Sequence, residues 1–167
     1  QPKGESNMLL EKLSNARGVS GNETEVREIL IDAVKDRVDE YRVDTIGNLI
    51  TLKKTKGVRA STLRVKVMLA AHMDEVGLMI VHYESNGLLR FRKVGGIDDR
   101  VLLSKVVLIG KDKIPGVVGN KPIHLIKAKE RDQVIDCDAM TIDIGAKSKE
   151  EAQAAVKIGD YCTFATE

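Results

Sequence analysis

The side chains best suited to chemistry lie in the heptapeptide Ala71-His72-Met73-Asp74-Glu75-Val76-Gly77. On an extended strand, side chains two apart share a face, so His72 and Asp74 project together while Met73 points away. A neutral imidazole is a good zinc or cobalt ligand. A carboxylate beside it can hold its other ring N–H, fixing the tautomer and raising its basicity. His72-x-Asp74 is therefore a candidate half of a metal site, although so short a pattern also arises by coincidence in a charged chain; a hydrolytic centre needs three or four donors and a base to activate water. The remaining candidates do not supply them. His82 reads as a satisfied or exposed strand histidine, and His124, after Lys121-Pro122, as a loop residue packing locally. Asp98-Asp99-Arg100 pairs two carboxylates, but the preceding Gly95-Gly96 makes a solvated turn of it; Asp136, Asp138 and Asp143 read as strand-edge charges.

The elements that must carry this fragment follow from apolar periodicity. Met8 to Ser14 predicts a short helix with Leu9, Leu10 and Leu13 on one face. Gly18-Val19-Ser20-Gly21 breaks it. Ser20 and Glu23 then have capping-box spacing ahead of Val26, Ile29, Leu30, Ala33 and Val34, which predicts a helix from about 22 to 37. Tyr41–Thr45 and Leu49–Lys53 read as a hairpin joined by Ile46-Gly47-Asn48. The apolar end of 64–71 suits a central strand covered on both faces, and His72 would lie at its carboxyl edge, where ligands bind in open α/β sheets.

Beyond residue 75 the character changes. Short apolar runs at Leu78–Val81, Leu88–Phe91, Val101–Leu103, Val106–Ile109, Gly116–Val118, Met140–Ile144 and Tyr161–Phe164 alternate with turn signals. That spacing predicts a small sandwich or barrel, interrupted by one helix over 148–157 that Ser148/Glu151 starts and Gly159 closes. The expected fold class is α/β: an incomplete α/β layer in residues 1–75, then a small β-rich domain in 76–164.

Composition excludes several classes of function. Among 167 residues, 27 Lys and Arg face 25 Asp and Glu, a net charge of +2 that argues against a general nucleic-acid binder. Lys53, Lys54, Lys56 and Arg59 form the densest basic run and read as a solvated loop. No apolar stretch approaches the roughly 20 residues of a membrane span. The two cysteines, Cys137 and Cys162, have no CxxC spacing, so neither a disulfide framework nor structural zinc is expected, and a reducing cytoplasm is the default compartment.

Several motifs occur together in an order that resembles the M42 family of metallo-aminopeptidases, which includes glutamyl aminopeptidases, deblocking aminopeptidases and the tetrahedral (TET) peptidases. They are Gly18-Val19-Ser20-Gly21 with Glu23, Asp44-Thr45-Ile46-Gly47-Asn48, the His72 heptapeptide, Gly95-Gly96, and Gly116-Val117-Val118-Gly119 with Lys121-Pro122 and His124. Ile142-Asp143-Ile144-Gly145-Ala146 and Gly159-Asp160 complete the set. The resemblance implies that His72 is a ligand in a centre of two divalent metal ions, zinc or cobalt, and that Asp74 is the carboxylate orienting it. It implies that residues 1–75 are the first part of a catalytic α/β metallopeptidase layer and that 76–164 are a PDZ-like insert contributing to assembly. The implied reaction removes N-terminal residues from peptide substrates within a homo-oligomer, tetrahedral in the family, with no nucleic acid or membrane partner.

One departure accompanies the resemblance. In the family the chain returns to the catalytic domain after the insert and supplies the bridging Asp, a Glu pair, a further acidic ligand and a second His. Residues 165–167 are about where that return begins, so this chain is expected to bind metal weakly or not at all and to be inactive alone. Asp98-Asp99-Arg100 mimics the family's bridging motif but falls inside the insert, and the role is not transferred to it. The alternative function is a non-catalytic assembly or peptide-binding module built on the β insert.

Overall fold

A computed structural model describes residues 3–54, 65–120 and 134–165, with side chains from Met8 onward in the first helix. Lys56, Arg59, the Arg64 start of the expected strand, and His124 with Lys121-Pro122 lie outside the described residues. The chain forms two compact units: 1–18 with 23–74, and 19–22 with 75–167.

The first unit holds two helices and a hairpin. Helix α1 spans Lys3–Ser14; Leu9 and Leu13, one turn apart, are half-buried, whereas Leu10 faces solvent. Helix α2 spans Thr24–Val34 and packs against α1, with Val26 as its buried anchor and Ile29, Leu30, Ala33 and Val34 half-buried behind it. The capping box does not form: Glu23 occupies the cap position and its side chain makes no capping hydrogen bond. Strands β1 (Glu40–Val43) and β2 (Leu49–Leu52) pair antiparallel, Val43 opposite Leu49 and Glu40 opposite Leu52.

The run expected as a buried central strand differs from that expectation. Residues 65–74 pair with no strand among the described residues, and Leu69 is 93% exposed. A central strand needs hydrogen-bonding neighbours on both edges and packing on both faces. Here β1 and β2 pair only with each other, so the apolar composition of 65–71 has nothing described to be buried against.

The second unit is a closed six-stranded barrel, as its short-strand spacing leads one to expect. Its strands are β3 (Gly77–Tyr83), β4 (Leu89–Val94), β5 (Val106–Ile109), β6 (Ile114–Gly119), β7 (Thr141–Asp143) and β8 (Tyr161–Phe164), ordered β3-β4-β7-β6-β5-β8. Leu78, Ile80, Leu89, Phe91, Val107, Ile109, Val118, Ile142 and Cys162 form the core. A bulge between Ile80 and His82 adds one residue to β3, so the buried set changes phase from Leu78 and Ile80 to Tyr83 and the intervening His82 is exposed.

Val101–Leu103, expected as a strand, is instead a 3-10 turn at Asp99–Val101, capped by Asp98, that drops Leu102 into the core. Helix α3 (Lys149–Ala155) starts where Ser148 accepts the Glu151 N–H, as the spacing predicts, and it buries Ala152. It ends four residues before Gly159, which instead turns the chain into β8 at φ +91°. Val19 belongs to this unit. It bridges Glu75 in parallel and packs against Gly77, where a Cβ would lie 2.4 Å from Val19 Cγ2 and 2.7 Å from the Cys162 carbonyl.

Candidate active site

His72 and Asp74 lie on the same side of their backbone. His72 Nδ1 sits 2.9 Å from the Asp74 carbonyl oxygen and 3.2 Å from its carboxylate. A carbonyl oxygen can only accept, so Nδ1 carries a proton, and in the neutral ring the lone pair is then on Nε2. The His72 side chain is 85% exposed, which leaves Nε2 open to a ligand. The orienting role expected of the Asp74 carboxylate is shared with the same residue's main-chain carbonyl, the nearer of the two.

Both residues line a partly open cleft of about 170 Å³ together with Glu23, Ile46, Gly47, Asn48, Ala71 and Met73. Three local devices build it, all within the first unit. Glu23 is presented at the start of α2. The β1–β2 turn supplies Ile46–Asn48, and Asp44 organises that turn: its Oδ1 accepts the N–H groups of Ile46 at 3.1 Å and Asn48 at 2.9 Å. Its Oδ2 accepts Asn48 Nδ2 at 2.8 Å. The Asn48 side-chain amide, with the turn N–H groups behind it, holds the Asp44 carboxyl below the usual carboxylate range. Arg27, reaching from α2, donates to the Gly47 carbonyl at 3.1 Å. Gly47 adopts φ +93°, which favours glycine, and a Cβ there would push the Arg27 guanidinium, 2.9 Å away, off the turn.

Spacing brought His72 and Asp74 to attention but did not pair them with Glu23 or Asn48. The signals for those two were their places in the ordered motifs, Glu23 after Gly18–Gly21 and Asn48 in the Asp44–Asn48 turn, which mark a helix start and a turn without saying what either faces.

The other candidates have structural duties. His82 is exposed on β3. Asp98 caps the 3-10 turn and grips Arg100, whose guanidinium and N–H draw the carboxyl down to about 2. Asp136 accepts the Asp138 N–H at 2.8 Å, and Asp143 accepts that of Gly145 at 2.7 Å. Asp99, Asp136 and Cys137 place donor atoms within 4.8 Å of one another, the one such set of three among the described residues. Lys93 Nζ already neutralises Asp99 at 2.5 Å, and burial pushes the Cys137 thiol up, away from the thiolate that binds metal.

Zinc or cobalt at the cleft fits in donor type and not in donor number. His72 offers one nitrogen, Glu23 and Asp74 are carboxylates, and among the described residues these three do not converge as a ligand set. Among the described residues the cleft offers one imidazole nitrogen with a hydrogen-bonding partner behind it.

The family model for M42 glutamyl aminopeptidases matches residues 47–167, well over half of the sequence. The chain belongs to the M42 family. It is 37% identical over 162 residues to the lysyl aminopeptidase of Pyrococcus furiosus, covering 94% of this chain and 45% of that protein. Among solved structures it resembles a TET aminopeptidase from a marine sediment Thaumarchaeota archaeon at TM-score 0.87 and 32% identity, covering 96% of this chain and 44% of the other. It also resembles the Pyrococcus horikoshii TET1 peptidase at TM-score 0.81 and 40% identity, with 96% and 47% covered. That protein is described as assembling into a tetrahedron or a large octahedral shell. This M42 chain thus spans less than half the length of the curated relatives it matches. Its fold is that of the TET aminopeptidases, with the six-stranded barrel as its β-rich part.

Proposed function

We propose that this chain is the first part of a two-metal M42 aminopeptidase that removes N-terminal residues from peptides, and that His72 is one of its metal ligands. The observation that carries this reading is the His72 Nδ1 contact to Asp74, which leaves Nε2 bare at the edge of a cleft. Asp74 acts by orientation: its carbonyl and carboxylate select the tautomer and stop the ring from turning. The metals would supply Lewis acidity and an activated water. Among the described residues the cleft supplies neither a full set of further donors nor an assigned general base. Residues 76–164 are then a PDZ-like insert, the second unit's barrel, and the intact protein is a cytoplasmic homo-oligomer of the kind its TET relatives form. The alternative, a non-catalytic assembly or peptide-binding module built on the β insert, has its best sheet edge along β4, which meets β7 only where Leu89 faces Ile142.

Zinc titration followed by imidazole NMR tests the reading. Added Zn²⁺ should shift His72 Nε2 and leave Nδ1 protonated, with weak binding that His72→Ala abolishes. Aminoacyl anilides should not be turned over by this chain alone. Metal arriving at Nδ1 would overturn the assignment of His72, and metal-dependent hydrolysis by the pure chain would overturn its expected inactivity.

A further inference from the structure

We propose that Asn48 is a ligand-contacting residue of the cleft, its side-chain oxygen accepting a hydrogen bond from the amino terminus of a bound peptide, and that Asp44 is the residue that positions it. The inference rests on the aminopeptidase reading of the same cleft and names a contact that reading does not contain. An Asn side chain has a donor end and an acceptor end, and the choice between them is set by its partner. Asn48 faces Asp44 Oδ2 at 2.8 Å, and an ionised carboxylate only accepts, so the NH₂ end is the one held there. The oxygen is left as the ligand-facing end. No described residue donates to it, although Asn48 lines the cleft beside His72, Asp74 and Glu23.

The turn is constrained beyond what a hairpin connection requires. Asp44 receives three hydrogen bonds through its carboxylate, and its own N–H donates to the Asn48 carbonyl at 3.1 Å. Arg27 fixes the Gly47 carbonyl from the neighbouring helix. Asn48 therefore cannot rotate freely, and its acceptor is preorganised for an N–H donor. A cleft lined by the carboxylates of Glu23 and Asp74 and by the Asn48 amide suits an ammonium group better than a carboxylate or phosphate ligand.

Titration of the isotope-labelled chain with L-alanyl-L-alaninamide, read by NMR at the Asn48 side-chain NH₂ and the His72 ring, separates the two ideas. Both signals should move with one dissociation constant. Asn48→Ala should raise that constant about tenfold, the usual consequence of losing a hydrogen bond to a charged donor. Asp44→Asn keeps an acceptor for the turn N–H groups but removes the anion that fixes the amide's sense; it should weaken binding by a smaller factor, about threefold. Unchanged barrel resonances certify that each variant is folded. If His72 responds while the Asn48 amide stays still and Asn48→Ala binds like the parent, the inference fails and the aminopeptidase reading stands. If neither signal responds to the dipeptide, the inference fails, and the aminopeptidase reading is decided separately by the zinc titration at His72.

Discussion

At His72 the ring turns Nδ1 toward the Asp74 carbonyl, which can only accept, so Nε2 is the nitrogen open to a ligand. The same logic of partner and burial governs Cys162. It lies fully buried in the barrel, and burial, with Asp160 adding to it, pushes the thiol up to about 12. A raised pKa means that the folded state holds the proton more tightly than the unfolded one. Stability from this group is therefore complete below the ordinary thiol value and is lost as pH rises toward about 12. Iodoacetamide at pH 8 should leave Cys162 unmodified in the native chain and alkylate it on unfolding in urea, checked by mass spectrometry of the tryptic peptide. Rapid native alkylation would mean that the barrel opens far more readily than its packing implies.

Among the elements, β3 is the one on which most depends. It pairs with β4 on one side and β8 on the other, carries the bulge that resets its buried face, and begins at Gly77 against Val19. Gly77→Ala would force a methyl group into Val19 and the Cys162 carbonyl, and the carbonyl belongs to backbone that cannot turn aside. The expected cost is about 2 kcal/mol or more, measured by urea denaturation, and a neutral result would show that the Val19 segment is not seated there. Much of this level was legible beforehand. The hairpin, the Ser148 cap and six of the seven apolar runs are strands or helix starts, because alternation and capping chemistry are local. The Asp99–Val101 turn was not legible, since Leu102 is buried by where its turn falls and not by any period of its own.

At the scale of the whole chain, burial is distributed unevenly. Fifteen buried residues form one cluster inside the barrel, whereas the first unit contributes Ala16 and Val26 and leaves Val65, Val67, Met68 and Leu69 open. Amide hydrogen exchange should follow this division. Protection should be greatest at paired barrel positions such as Ile80 and Ile109, and residues 65–69 should exchange within the dead time. Strong protection across 65–69 would require a partner strand.

The amino-acid sequence alone determined the period of each element, the turn residues and the order of motifs that marks the family, because these depend on neighbours a few positions apart. The His72/Asp74 pair belongs with them, being two residues apart. What only the tertiary structure decided is which distant segments meet: that six short strands close on themselves, that an apolar run remains unpaired, and that the Asp44 turn and the head of α2 border the same cleft as His72. Closure and encounter depend on contacts between residues tens of positions apart, and no local preference encodes which of those contacts form.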